Sequence, residues 1–311
     1  MRLGVYWATP KELDPNLYLR NSILSASNTK ITVVELDHTI KLEKRPRLDV
    51  DGVVVIGTML NPQLALVDLL HSSRKFPIAF WDVESPYDSD INSHWYRYFD
   101  HVFSVERQSI AAFPNDKISY LPLAADPMYF FQEVNLKSSK TISVIGSDYH
   151  PRRRLTTQLE SLLKEGEFID RVGAQKKSHG ANVRVHERLS PGQISLLDNM
   201  ARVSLIIGRD FDFQNKRRFI SAGSPNPRLF ETILSGGFPL IDSLTFDRHI
   251  CRDLIQGLAF FTSALDAYKS FTSLSSDERN QRVLSMQEQV MTLHLYKNRI
   301  VEINRVFEEL S

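Results

Sequence analysis

SPNPRLFETILSGGFPLIDS, residues 224–243, holds a complete helix-to-strand unit. Asn226 is of the type that caps a helix and Pro227 suits a first helical position. Gly236 and Gly237 are residues that end a helix, here before the apolar run Phe238–Ile241. At about 100° of rotation per residue, Leu229, Phe230, Ile233 and Leu234 share one face, and Arg228, Glu231 and Thr232 share the other. Two readings of that polar flank stand. One is a solvated i,i+3 ion pair, which contributes roughly 0.2–0.5 kcal/mol. The other places an anion at the helix start, beside Arg228, where free N–H groups and the positive dipole end point outward. Glu231 would then accept hydrogen bonds about one turn, ~5 Å, further along. A nucleoside diphosphate with its ribose hydroxyls has that shape.

Alternating strands and helices extend from this unit in both directions. Apolar runs at Leu3–Trp7, Ile31–Leu36, Gly52–Ile56, Pro77–Trp81, His101–Val105 and Ile118–Leu123 read as strands, with helical spacing at Asn61–Leu70 and Ser93–Phe99. After a mixed segment, Pro127 to Lys140, the rhythm restarts. Strands are expected at Thr141–Gly146, Phe168–Val172, Val183–Val185, Val203–Gly208, Phe238–Ile241 and Leu258–Phe261. Helices are expected near Arg154–Leu163 and Gln193–Ala201, and two long ones from about Asp277 onward. This alternation implies parallel sheets covered on both faces, and the break implies two domains. The fold class is α/β, with two doubly wound Rossmann-like domains facing a central cleft, where the carboxyl ends of such sheets bind ligands. Residues 1–126 form the first domain, 127–140 a linker and 141–293 the second domain. Asp210 to Gly223 lacks clean periodicity and reads as a loop.

The bulk numbers narrow the class. The chain has 311 residues, 42% hydrophobic and 24% charged, enough for two buried cores. Net charge is +1, so there is no strong nucleic-acid or anionic-membrane signal, and only a local basic patch could serve. A single cysteine, Cys251, excludes an intrachain disulfide and fits a cytoplasmic location. The start MRLGVYWATP lacks a signal-peptide layout, and no stretch reaches the ~18–20 apolar residues of a transmembrane segment. The turn WATPKELDP carries no G-x-G-x-x-G, and no G-x-x-x-x-G-K-[ST] occurs, which removes a nicotinamide dehydrogenase and a P-loop NTPase.

Candidate chemistry collects after the strands. In SVIGSDYHPRRRL, Gly146 and Ser147 end a strand and Arg152, Arg153 and Arg154 open a helix. Arginines oppose the dipole there unless an anion is present, so at least one of them is a phosphate candidate, a solvated basic turn being the alternative. FWDVESPYDSD follows the fourth strand and sets Asp82, Glu84, Asp88 and Asp90 where a general base toward an acceptor hydroxyl belongs, unless they are solvated loop carboxylates. Three D-x-D triplets, Asp49/Asp51, Asp88/Asp90 and Asp210/Asp212, are expected by chance among 37 acidic residues. No metal site is expected: the histidines show no H-x-x-x-H pattern, and His150 is the candidate nearest the strand ends. The run Lys216-Arg217-Arg218 reads as a solvated loop or a contact for phosphate or lipid.

In order along the chain, these pieces resemble the CgeB-like glycosyltransferases, a family named for a spore maturation protein, with the GT-B fold. Trp81-x-x-Glu84-x-Pro86 is similar to the family's W-x-x-D-x-P, with Glu in place of Asp. Tyr120 to Pro127 with Phe130 resembles its interdomain segment, and Val144-Ile-Gly-Ser147 with the arginines resembles its F-V-G-S…R. Pro227-Arg228-Leu-Phe-Glu231 with Gly237 is similar to R-x-F-E…G, and His294 to Arg299 to the closing H-T-W…R. The resemblance implies metal-independent transfer of a sugar from a nucleoside diphosphate sugar to a glycan, polymer or other hydroxyl acceptor, with no cofactor. It implies donor binding by Gly146, Ser147, Arg152, Arg154, Asn226, Arg228 and Glu231, with Glu84, Asp82 or Asp88 as catalytic carboxylate. It further implies that a helix over 294–311 packs back on the first domain. A sugar-nucleotide epimerase on the same fold, or a non-catalytic two-lobed binding or structural protein, is the alternative.

Overall fold

The computed structural model describes residues 1–8, 17–36, 49–60, 62, 64–71, 76–113, 117–173, 180–209 and 214–310. They form two compact units: 1–123 with 212–222 and 296–311, and 124–211 with 223–295. Residues 212–222, read in sequence as part of the second domain, thus group with the first, and the segment 127–140 belongs to the second rather than standing apart.

The first unit runs β1 (Arg2–Trp7), α1 (Leu17–Leu24), β2 (Thr32–Glu35), β3 (Gly52–Gly57), α2 (Leu64–His71), β4 (Ile78–Asp82), α3 (Ser89–Asn92), β5 (His101–Ser104), α4 (Arg107–Ala112) and β6 (Ile118–Tyr120). Its strands are short, β-branched and almost wholly buried, as GVVVIG of β3 shows, because parallel sheets are covered on both faces. They pair in parallel in the order β2-β1-β3-β4-β5-β6. Ser93–Phe99, expected as a helix, instead holds a short 3-10 turn, Tyr96–Tyr98. Its aromatic residues turn into the core, where Phe80 stacks on Phe99 at 5.1 Å and packs against Tyr96.

The second unit runs α5 (Pro127–Phe130), β7 (Thr141–Ile145), α6 (His150–Glu160), β8 (Phe168–Val172), β9 (Val183–His186), α7 (Pro191–Met200), β10 (Val203–Ile206), α8 (Pro227–Leu234), β11 (Pro239–Asp242), α9 (Arg248–Leu254), β12 (Ala259–Phe261), α10 (Ala264–Ser273) and α11 (Ser276–Leu293). Its parallel sheet is ordered β12-β11-β10-β7-β8-β9, the doubly wound order in which the winding direction reverses between β7 and β10. The last helix, α12 (Tyr296–Leu310), groups with the first unit. Phe307 of α12 lies on Gly52, where any Cβ would collide with its ring.

Candidate functional site

In the second unit the switch point between β7 and β10 is the crevice a ligand of such a sheet uses. Gly146, at the end of β7, has φ +128°, which a side chain would resist. A Cβ there would lie 2.5 Å from Nη1 of Arg152. The Arg152 guanidinium fills that space and donates to the Ser147 carbonyl at 2.8 Å and the Ile207 carbonyl at 2.9 Å, tying the two strand ends together. Arg152 is therefore spent on the backbone. Arg153 leans toward Asp148, 3.9 Å away, while Asp148 is itself held by Arg171 at 2.5 Å. Arg154 stays exposed on α6.

Helix α8 starts at Pro227 as expected, and Gly236, at φ +74°, ends it, its N–H bonding the Ile233 carbonyl at 3.0 Å. Asn226 does not cap it. Its side chain makes no capping bond, and its Oδ1 is buried without a partner at the helix start. Of the two readings of the polar flank, the solvated ion pair does not hold, because the flank is buried. Glu231 is 2% exposed and accepts from Arg228 at 2.9 Å. Arg228 also bonds Asp198 of α7 and, at 3.0 Å, the Thr232 hydroxyl. Thr232 in turn donates to Asp198 at 3.1 Å, and Ser143 of β7 reaches the second Asp198 oxygen at 2.9 Å. Gly237 makes this possible: a Cβ would stand 3.1 Å from that of Asp198. Burial alone would lower the Arg228 pKa, but Asp198 and Glu231 more than offset it and hold the guanidinium charged.

Around β4 the first unit separates its carboxylates. Asp82 is 0% exposed, not a loop carboxylate: Oδ1 accepts from Asn92 at 2.8 Å and Oδ2 from Tyr96 at 2.7 Å. Burial pushes its carboxyl up to about 7, against the two hydrogen bonds, with Asp88 and Glu84 adding repulsion. Asn92 passes the order outward by accepting the Met59 N–H at 2.8 Å. With both oxygens bonded and no exposure, Asp82 anchors the turn after β4 and does not face solvent. Glu84 and Asp88 are partly exposed beside it. Asp90 holds residues 216–217, accepting the Lys216 N–H at 2.7 Å and the Arg217 N–H at 3.2 Å. Of the other triplets, Asp49 and Asp51 are both bound by Arg2, and Asp210 and Asp212 lie outside the described residues.

The sequence motifs also meet within each unit. Trp81 Nε1 donates to the Leu121 carbonyl at 3.0 Å, and Arg299 of α12 donates to the Pro122 and Leu123 carbonyls at 2.7 and 3.2 Å. Phe230 stacks on His294 at 4.9 Å, and His294 bonds the Leu254 carbonyl at 2.9 Å. Among the described residues no group of three or more His, Cys, Asp or Glu is placed to hold a metal ion, and no helix is long and apolar enough to cross a membrane. A cavity of about 400 Å³ in the second unit lies against Thr141 and Phe168, the first residues of β7 and β8, at the end of the sheet opposite the crevice.

No protein-family model and no curated protein matches the chain. Solved structures match it closely in fold. Trehalose-6-phosphate synthase from E. coli, bound with UDP-2-fluoro glucose, superposes with a TM-score of 0.62 at 9% identity over 98% of both chains. T4 phage BGT in complex with its UDP-glucose substrate gives 0.58 at 15% identity over 99% of both chains. TarM gives 0.57 at 9% identity over 82% of this chain and 54% of its own. The fold is that of the GT-B glycosyltransferases.

The sequence did not reveal Asp198, which supplies the second charge on Arg228, because it lies on another helix among residues that read as an ordinary surface. Tyr96, one partner of Asp82, lies inside the helix expected over Ser93–Phe99, and Asn92, the other, just before it.

Proposed function

We propose that the protein transfers a sugar from a nucleoside diphosphate sugar to an acceptor hydroxyl, without a metal, and that it stands with the CgeB-like enzymes within the GT-B glycosyltransferases. The observation that carries the reading is the α8 start. An eight-residue helix begins without a side-chain cap, with an unpartnered Asn226 Oδ1 beside its start and a buried carboxylate, Glu231, one turn along. The fold likeness supports it, since one protein of this fold has UDP-glucose as its substrate and another is bound with UDP-2-fluoro glucose. The motif contacts of Trp81, His294 and Arg299 support the finer family, although Glu84 departs from its aspartate.

In this reading the diphosphate lies between Gly146-Ser147 and the α8 N-terminus, with Arg154, exposed on α6, as its cation. The helix dipole and backbone N–H groups stabilise charge developing on the leaving group. Glu231 takes the ribose hydroxyls. Arg228 is assigned a positioning role, orienting Glu231 through their ion pair, rather than contacting phosphate. During transfer the bond from the anomeric carbon to the diphosphate oxygen breaks and its electron pair leaves with the diphosphate. A bond from the anomeric carbon to the acceptor oxygen forms, and the hydroxyl proton passes to Glu84, a partly exposed carboxylate after β4, with Asp88 next in line.

Calorimetry with a nucleoside diphosphate tests the donor half. Glu231→Ala should weaken binding roughly 10- to 150-fold, the worth of a charged hydrogen bond. Unchanged affinity in a folded variant sinks the assignment. Glu84→Gln should leave that affinity alone and lower turnover about 10²–10⁴-fold. Transfer should persist in excess chelator.

A further inference from the structure

Residues 214–220 build a clasped projection on the first unit. Asn215, 1% exposed, closes its base in both directions, donating to the Ile220 carbonyl at 2.7 Å and accepting the Ile220 N–H at 2.9 Å. Gln214 and the α3 region exchange backbone bonds: the Asp90 N–H donates to Gln214 at 2.7 Å and the Gln214 N–H to Tyr87 at 3.1 Å. Asp90 grips the Lys216 and Arg217 N–H groups, as above. Arg218 donates to the Ala112 carbonyl at 2.5 Å and lies over the Phe113 ring at 4.4 Å. Between these anchors Lys216, Arg217 and Arg218 are exposed, and Phe219 is presented to solvent at 76% exposure. Phe219 has φ +51°, the one positive φ of a non-glycine residue among the described residues. For a bulky side chain this conformation is strained, and such strain persists where surrounding contacts over-determine it, often at functional sites.

Beside the projection is a cavity of about 330 Å³ whose lining includes Leu60, Asp90, His94, Trp95, Gln214 and Arg217. Its size suits one ring system, and it offers an aromatic wall with hydrogen-bonding groups around it. Arg217 Nη1 lies 2.9 Å from His94 Nε2, which orients the imidazole at the cavity wall. Three cations beside an exposed aromatic ring, next to a ring-sized polar cavity, match a phosphate backbone whose bases are unstacked.

We infer that this face binds a polynucleotide strand, phosphates on Lys216, Arg217 and Arg218, one base against Phe219 and a neighbouring base in the cavity. Its role as acceptor rests on the transferase reading, but the binding does not. A net charge of +1 is compatible, since the attraction is confined to one loop. A membrane surface is the weaker match, because a hydrogen-bonding cavity has no part in lipid docking and one phenyl ring buries little.

The test is fluorescence anisotropy with a labelled single-stranded oligonucleotide at several salt concentrations. Phe219→Ala should weaken binding about 5- to 150-fold. Phe219→Gly removes the backbone strain, so it should fold at least as well and bind as poorly. Lys216→Ala should lower the slope of log affinity against log salt by about 0.7. Equal affinity for wild type and both Phe219 variants overturns the proposal, as does binding to phosphatidylserine vesicles through Phe219 without oligonucleotide binding. Nucleoside diphosphate affinity separates the two readings. If it persists while oligonucleotide binding is absent, this inference alone fails; the converse result removes the donor site and leaves the loop.

Discussion

Asp82 in the first unit and Asp198 in the second are both 0% exposed carboxylates, yet their surroundings differ in kind. Asp82 is held by an amide and a phenol, both neutral, and its carboxyl is pushed up to about 7 by burial. Asp198 is held by two hydroxyls and the Arg228 guanidinium, which it shares with Glu231. Neutral donors do not replace the lost hydration of a carboxylate, whereas a guanidinium in contact does so at the cost of burying two charges more. The first arrangement orders a turn and tolerates protonation. The second locks three charges that depend on one another.

The largest effect should come from breaking the locked cluster. Asp198→Ala leaves Arg228 with a single charged partner and takes an acceptor from the Ser143 and Thr232 hydroxyls, and removal of one member of a buried pair costs about 3–5 kcal/mol. Arg305→Ala, which cuts the exposed pairs to Glu302 and Glu309, is the control, expected to change stability far less than Asp198→Ala. Urea unfolding measures both. A loss under about 1 kcal/mol for Asp198→Ala would show that the cluster behaves as a surface pair.

The next effect sharpens the contrast through pH. Asp82 titrates at about 7 in the fold and at its usual 3.8 when unfolded, so the unfolded chain is the one that releases the proton first. Stability from this group is then fully present below pH ~4 and declines as pH rises to ~7, flat beyond, on the order of 4 kcal/mol in all. Asp82→Asn keeps an acceptor for Asn92, and the Tyr96 hydroxyl can turn to accept from the new amide. Its unfolding free energy should lack that decline. A wild-type slope no steeper than the variant's between pH 5 and 7 would mean that the carboxyl stays ionised.

Strand positions were legible because runs such as Gly52–Ile56 and Phe238–Ile241 are continuous, apolar and closed by turn residues, and parallel sheets demand nothing subtler. The helix at Pro227 was legible for the same reason, from its proline and paired glycines. Helix α7 shows where pattern reading stops. It buries Ser195, Asp198 and Asn199 and exposes Leu196 and Met200, because its polar face closes the Arg228 cluster and the carbonyls of Phe130, Glu133 and Ser235. A hydrophobic period assigns the opposite face inward. Likewise Glu231 reads as surface until Asp198 is known to stand across from it, a pairing between residues on different helices that spacing along one helix does not contain.

The smallest effect concerns the arginines at the start of α6, where the contrast between charge locked inside and charge left outside recurs two residues apart. Arg152 is 8% exposed and bonded to two carbonyls, whereas Arg154 is exposed on the first turns of the helix. A cation there works against the helix dipole, so Arg154→Ala should leave stability unchanged or raise it by a few tenths of a kcal/mol, roughly within the ±0.5 kcal/mol of surface changes. As the exposed cation assigned to the donor diphosphate, it should contribute about 1 kcal/mol of binding, a loss of about fivefold in nucleoside diphosphate affinity. Stability and affinity thus move in opposite directions for Arg154→Ala. Arg152→Ala should lower both, since it unties Ser147 from Ile207 and with them the crevice itself. Calorimetry and thermal unfolding on the two variants separate the cases. If Arg154→Ala binds as wild type does, the phosphate charge is met by the helix N-terminus alone, and the comparison moves to Asn226.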